Sequence, residues 1–262
     1  MRIFGARPRQ AFLAIGIGVV AVLATGGGDA KAASIAWLAT SPMSSVRSYA
    51  AAAMLQSGDV LVVGGENTAV FQSSAEIYSP ATGAWRAAPS MSAARVGFTA
   101  TTLDSGKVLV AGGAPGVTQA ELYDPVSDSW SAAGSISAER GSQPVAVKLG
   151  NGKVLIAGGT TGGVYLATAD LYDPTSNSWS PAGSMSVARV DARATVLDDG
   201  RVLVTGGRGS SGATATADIY GLIFLPTSST ATYRTRSVSP VSSSTSTIAI
   251  WVPNGHVQFG VS

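Results

Sequence analysis

DVLVVGG, residues 59–65, is the first of four copies of an apolar segment that ends in a glycine pair. The other copies are KVLVAGG at 107–113, KVLIAGG at 153–159 and RVLVTGG at 201–207, so successive pairs are spaced by 48, 46 and 48 residues. Such a period is typical of a supersecondary unit that is copied and stacked because it cannot bury its own apolar face alone. The repeat therefore decides the fold class.

Four further residue types recur in a fixed order within each period. An acid lies two residues before a tyrosine, a tryptophan follows each of the first three tyrosines by seven residues, and an arginine follows each tryptophan by ten. The acids are Glu76, Glu121, Asp170 and Asp218. The repeat markers are Gly64, Gly65, Gly112, Gly113, Gly158, Gly159, Gly206 and Gly207; Tyr78, Tyr123, Tyr172 and Tyr220; Trp37, Trp85, Trp130 and Trp179; and Arg47, Arg95, Arg140 and Arg189.

The apolar segments predict strands that are buried on both faces, because they do not alternate with polar residues. A turn signal precedes each of them, Ser57-Gly58 in the first copy, and this pattern indicates a tight hairpin between the first and second strands of each unit. The third strand then contains the tyrosine and the fourth contains the tryptophan. With Gly 32 and only 12% charged residues, the composition also favours short strands and turns. The predicted class is all-β.

The order of these markers resembles the kelch repeat, in which a strand ending in Gly-Gly is followed by Tyr, Trp and an arginine segment at set distances. The resemblance covers roughly residues 37–220 and is specific because five marker types recur in order. It implies a β-propeller of four-stranded blades, similar to secreted bacterial kelch proteins and distantly to the propeller domain of galactose oxidases. We expect the aromatics to pack between blades and the arginines to pair with the acids.

About four blades are visible, and the last one is incomplete. Thr227 stands where its tryptophan should fall, whereas Trp37 to Arg47 reads as a fourth-strand segment with no blade of its own. The simplest completion has this N-terminal strand complete the last blade and close the ring. An open array completed by self-association and a truncated gene product are the alternatives, since kelch propellers usually have more blades.

Outside the repeats the chain divides into three further segments. Residues 1–32 have arginines, an apolar stretch and the small residues Ala30 and Ala32, as in a secretory signal peptide, so we expect a secreted or periplasmic protein with no membrane attachment after cleavage. The propeller is assigned to residues 33–220 and a Ser/Thr-rich linker to 221–247. Residues 248–262 are interpreted as a hairpin or a truncated continuation around Pro253-Asn254-Gly255.

The residue inventory argues against several kinds of chemistry. The chain has no cysteine and a single histidine, His256, so it lacks the cross-linked cysteine and histidine ligands of copper-radical galactose oxidases. No metal site, cofactor or catalytic residue is predicted, and a net charge of +2 without a basic cluster makes nucleic acid a poor partner.

Binding is therefore the leading functional hypothesis. The segments after the glycine pairs vary in length and content, and loops on a rigid support often carry recognition. We predict a non-catalytic module that recognises an extracellular protein or glycan. A carbohydrate-active enzyme of sugar isomerase or hydrolase type and an incomplete propeller acting within a larger assembly remain open, as does the alternative that these loops are only solvated turns. The candidate binding residues are Glu66, Asn67, Phe71, Gln119, Tyr165 and Arg208.

Overall fold

The structure is a computed structural model that describes residues 37–113, 117–221, 246–252 and 255–261. The predicted signal peptide and most of the predicted linker lie outside these residues. The chain divides into two compact units, Met1–Gly221 and Leu222–Ser262. The described residues are strands, turns and irregular segments without a helix, which confirms the all-β class. They accordingly include no helix that could cross a membrane.

The first two repeats each form a four-stranded antiparallel sheet, here called blades 1 and 2. Blade 1 consists of β1, β2, β5 and β6, and the pair β3–β4 forms a separate short hairpin. The strands of the first repeat are β1 (Ala51–Met54), β2 (Val60–Val63), β3 (Glu66–Asn67), β4 (Val70–Phe71), β5 (Ala75–Ser79) and β6 (Ala84–Ala88). Blade 2 consists of β7 (Thr99–Thr102), β8 (Val108–Ala111), β9 (Gln119–Asp124) and β10 (Ser129–Ser135).

Blade 3 has four strands like blades 1 and 2, whereas the described residues of blade 4 form three. The third repeat contains β11 (Val145–Lys148), β12 (Val154–Ala157), β13 (Thr160–Thr161), β14 (Val164–Tyr165), β15 (Thr168–Asp173) and β16 (Ser178–Ser184). The fourth contains β17 (Arg193–Val196), β18 (Val202–Thr205), β19 (Arg208–Gly209), β20 (Gly212–Ala213) and β21 (Ala217–Tyr220). The pairs β13–β14 and β19–β20 are short hairpins. In the second unit, β22 (Ser246–Val252) pairs antiparallel with β23 (Gly255–Val261).

Burial of the second strand depends on whether its blade has neighbours on both sides. All four residues of β8 and of β12 are buried, as the sequence predicts. In β2 and β18 burial falls at alternate positions instead. Blades 1 and 4 are the end blades of the described array, so one face of each lacks a neighbouring blade. The expectation of strands buried on both faces is therefore wrong for the two ends.

The aromatic markers connect each of blades 1 to 3 to the segment that precedes it. Tyrosine and tryptophan stand opposite each other on the third and fourth strands, with ring centroids 5.1–5.2 Å apart. Each indole N–H donates a 2.8 Å hydrogen bond to a backbone carbonyl of the preceding repeat or segment. The acceptors for Trp85, Trp130 and Trp179 are the carbonyls of Ser41, Pro89 and Ala133. The aromatics thus pack between blades, as expected.

The four arginines form four copies of one buried clamp. Arg140 donates to the carboxylate of Asp170 at 2.7 Å and to the carbonyls of Gly158 and Thr168 at 2.8 Å each. The pairs Arg47–Glu76, Arg95–Glu121, Arg140–Asp170 and Arg189–Asp218 have arginine side chains that are at most 1% exposed. Each arginine satisfies carbonyls where a glycine pair and a third strand meet, and this role accounts for its recurrence.

The N-terminal segment does not complete blade 4. Within the described residues, β21 has no partner on its outer side, and Trp37 is 103% exposed. The following residues lie against blade 1 instead, where Thr40 contacts the hydroxyl of Tyr78 and the amide of Ser44 donates to Glu76. The predicted closure of the ring by this strand is therefore not present in the structure.

Candidate functional site

A ladder of backbone hydrogen bonds runs through the four blades just ahead of their first strands. The amide of Gly97 donates to the carbonyl of Tyr49 at 3.2 Å, that of Gln143 to Gly97 at 2.8 Å, and that of Asp191 to Gln143 at 3.3 Å. All four residues have a positive φ, between 53° and 62°. Because residues other than glycine rarely adopt this conformation, the ladder holds Tyr49, Gln143 and Asp191 in strained backbone at equivalent places.

A cavity of about 190 Å³ lies beside this ladder and draws two residues from each blade. It is the place where the four repeats converge, since the first strands of successive blades lie side by side. Its surface combines apolar, amide and guanidinium groups. The lining residues are Tyr49, Ala50, Gly97, Phe98, Gln143, Pro144, Ala192 and Arg193.

Three of the short hairpins stand at the rim of this cavity. The first residue of each is bridged in antiparallel fashion to the residue one or two places before the ladder: Ser48 to Glu66, Gly141 to Thr160 and Val190 to Arg208. We call the three hairpins and the cavity the hairpin face. Repeated connections thus bring the variable segments of blades 1, 3 and 4 to the same side of the cavity.

The hairpin face exposes apolar side chains at its tips. Val70 is 66% exposed, Phe71 is 40% exposed and Val164 is 65% exposed. Phe71 is paired with Glu66, and Tyr165 occupies the equivalent position opposite Thr160. Exposed apolar groups around a concave centre are typical of an interaction surface.

The charged groups of the face are concentrated in blade 4. Arg208 forms an ion pair with Asp191 at 3.2 Å, and the two side chains are 61% and 37% exposed. Arg193 lines the cavity and donates at 3.0 Å to the carbonyl of Ala192. Among the described residues no group of three or more acidic, histidine or cysteine side chains is arranged to hold a metal ion.

The six candidate binding residues fall in two kinds of place. Five lie in the rim hairpins: Glu66, Asn67 and Phe71 in blade 1, Tyr165 in blade 3 and Arg208 in blade 4. Gln119 does not, because it begins β9 and its carbonyl accepts a 2.5 Å hydrogen bond from the buried Arg95. Its side chain is exposed in a separate groove beside Trp130 and Pro89.

The sequence alone does not identify the four ladder residues. Gly97 and Asp191 each follow a marker arginine by two residues, and both residue types are enriched at positive φ. That was the available signal. The signal is weak because the equivalent residue of the first repeat is Tyr49, a type that rarely adopts positive φ. In the third repeat, one extra residue places Gln143 three residues after its arginine instead of two.

Comparison with known proteins supports the assignment of the repeats. The Kelch motif family matches residues 47–92 and 145–186. Among matching solved structures is one titled "Structure of YjhT", with 19% sequence identity and a TM-score of 0.58. The match covers 69% of this chain and 65% of that one, so the chain spans about two thirds of its length. A search of the curated proteins finds no match.

These matches confirm the prediction made from the repeat markers. The protein carries kelch repeats folded as β-propeller blades. A kelch propeller fold suggests a protein-interaction module.

Proposed function

We propose that the protein is a secreted, non-catalytic binding module that recognises an extracellular protein or glycan through the hairpin face. The observation that carries this proposal is the cavity to which all four blades contribute, bordered by hairpins with exposed Val70, Phe71 and Val164. Recognition surfaces are commonly built from loops on a rigid scaffold, and the blades supply that scaffold. The exposed valines favour a protein partner, whereas the aromatic rings would also stack on a sugar.

The chemistry of the face supports binding rather than catalysis. General acid–base catalysis needs titratable groups directed at a reacting atom. Among the described residues around the cavity, Asp191 is engaged by Arg208, and Arg193 is the charged residue that lines the cavity. These groups are suited to orient a polar ligand.

Removing the two aromatic side chains of the rim tests the proposal. We expect Phe71→Ala/Tyr165→Ala to weaken binding by about tenfold or more, because large aromatic contacts carry much of the affinity of such surfaces. Glycan arrays and pull-down from an extracellular protein fraction would identify the ligand, and titration would give the dissociation constants of both proteins.

Val126→Ala is the matched control, since Val126 is 95% exposed in a turn of blade 2 outside the hairpin face. It should bind as the unchanged chain does. Equal binding by the double variant and the unchanged chain would rule out the hairpin face as the recognition surface.

A further inference from the structure

Among the described residues, no strand pairs with the outer side of blade 4, whereas each of the other three blades has a fourth strand there. The effect is visible in the exposure of the third strand. Ile219 is 39% exposed, whereas the equivalent Ile77 and Leu122 are 1% and 8% exposed and Leu171 is partly buried. The carboxylate-bearing side chain of Asp218 is 19% exposed, compared with 1% for Asp170. Within the described part of the chain, the outer edge of β21 therefore has no backbone partner, and its apolar surface is partly uncovered.

A small cavity lies where a fourth-strand tryptophan of blade 4 would pack. Trp130 and Trp179 pack against the apolar clusters that join blades 1 and 2 and blades 2 and 3. No tryptophan of the described residues packs against the cluster that joins blades 3 and 4, and a cavity of about 70 Å³ opens at its edge. Its lining includes Ala182 and Met185 from blade 3 and Asp218, Ile219 and Tyr220 from blade 4.

At the same end, the amide of the last glycine pair also has no partner among the described residues. The amides of Gly65, Gly113 and Gly159 donate at 2.8–3.0 Å to the carbonyl of the marker arginine that opens the next repeat. The equivalent amide of Gly207 has no acceptor among the described residues. A Cβ on the preceding Gly206 would have its nearest neighbour at 3.8 Å, so the space for an arginine carbonyl is open.

Residues 37–47 have the sequence pattern of a fourth-strand segment, which the described residues of blade 4 do not include. Trp37 and Arg47 keep the interval of Trp85 and Arg95, and Met43 corresponds to Met91. Trp37 and the next residue, Leu38, are 103% and 87% exposed. With Trp37 placed opposite Tyr220, as Trp85 is opposite Tyr78, Leu38 lies opposite Ile219. Each exposed apolar side chain then covers the other, and Arg47 brings its carbonyl to Gly207.

We propose that the outer edge of blade 4 is a binding site for residues 37–47 of a second copy of this chain. In this arrangement, blade 1 of the copy that donates residues 37–47 packs next to blade 4 of the copy that accepts them, as successive blades pack within one chain. A second copy is the occupant because, within the described part of this chain, Trp37 stays in solvent and no hydrogen bond joins blades 1 and 4. The resulting contact is heterologous and joins copies head to tail.

Disulfide trapping tests both the register and the source of the strand. The chain has no cysteine, so Leu38→Cys and Ile219→Cys introduce single thiols. Directly opposed residues of an antiparallel pair have Cα atoms about 4.5–5.5 Å apart, within the range of a disulfide. We expect a mixture of the two single variants to oxidise to a covalent heterodimer. A mixture of Leu38→Cys with Val126→Cys, whose thiol is exposed but off the edge, should form much less.

Two results of this experiment would overturn the proposal. One is heterodimer formation no greater than in the Val126→Cys mixture. The other is a double variant, Leu38→Cys/Ile219→Cys, that closes its disulfide within one chain and keeps the monomer mass. That second result would show that the chain completes its own blade 4.

Mass in solution gives an independent readout. Light scattering over about a hundredfold range of concentration should show the unchanged chain moving from monomer to larger species, as mass action requires. Trp37→Ala removes a side chain with no contact in the monomer, so the variant should fold normally. The dissociation constant of its self-association should rise about tenfold or more. Trp251→Ala, outside the repeats, is the control and should associate normally. A chain that stays monomeric throughout, or unchanged association of Trp37→Ala, would contradict strand donation.

Discussion

At the scale of single residues, three of the marker arginines, Arg95, Arg140 and Arg189, are the largest fully buried side chains of the described residues. Burial lowers the pKa of Arg95, and the hydrogen bond and charge of Glu121 oppose that shift. The Nε of Arg95 also has no partner among the described residues. A buried ion pair is costly to form and costlier to break, because a single partner left behind is an uncompensated charge.

Arg140→Ala tests this role directly. It removes the bonds to two carbonyls and leaves Asp170 buried without its partner, so we expect a loss of about 3–5 kcal/mol in the free energy of unfolding. Urea denaturation followed by tryptophan fluorescence measures the change.

Arg86→Ala is the matched control, because the Arg86–Asp128 pair is 51% and 45% exposed. Such surface pairs contribute less than about 1 kcal/mol. Similar effects of the two substitutions would contradict a structural role for the buried clamp.

Glu76 gives the clamp of blade 1 a pH dependence. Burial alone would raise the pKa of Glu76, but hydrogen bonds from Ser44 and Arg47 outweigh it and hold the pKa below the ordinary value of 4.5. A carboxyl with a lowered folded-state pKa contributes stability that is present above 4.5 and is lost as the pH falls through the folded-state pKa.

Glu76→Gln should therefore be less stable than the unchanged chain near neutral pH, and the difference should shrink as the pH falls below 4.5. Thermal melting of both proteins at a series of pH values from about 3 to 7 measures it. A difference in melting temperature that stays constant across this range would contradict the assignment.

At the scale of elements, the glycine pair is where consecutive blades touch. Gly158 has φ +72°, and a Cβ there would lie 2.5 Å from the carbonyl oxygen of Arg189 in the next repeat. Gly206 has a comparable φ of +63° but meets nothing closer than 3.8 Å, because no blade follows it in the described chain. The two positions share backbone conformation and differ in contact.

This difference predicts unequal costs for the same substitution. Gly158→Ala should reduce the free energy of unfolding by at least about 1 kcal/mol more than Gly206→Ala, since only the first must displace a neighbouring backbone. Denaturation at a concentration at which light scattering gives the monomer mass measures both losses. Equal losses would mean that strain in φ, rather than the contact between blades, explains the glycine pair.

The elements themselves were largely predictable from the sequence. Gly-Gly, Tyr and Trp intervals gave the second, third and fourth strands, because strand pairing and aromatic packing are local features of each repeat. The turn at Ser57-Gly58 follows from residue type for the same reason. The ladder at Tyr49 and Gln143 could not be found this way, since its positive φ values are imposed by the neighbouring blades.

At the scale of the whole array, the sequence does not determine which segment covers the outer edge of blade 4. The Trp37–Arg47 interval predicts a fourth-strand residue at Trp37, but in the structure Trp37 is exposed and belongs to no strand, because the blade with which it could pair depends on the angle between successive blades. That angle results from packing among many residues, such as the clusters around Tyr123 and Tyr172, and no single marker encodes it. The cavity of the hairpin face was unpredictable for the same reason, because it exists only where four repeats converge.

The joint between blades, in which a glycine amide donates to an arginine carbonyl, uses main-chain groups at both ends. Those groups are present whatever side chains the rest of a repeat carries. Duplication of one complete period within the gene would therefore add a blade whose amide and carbonyl match those of its new neighbours. The protein has a route to lengthen by whole units while each hairpin diverges independently.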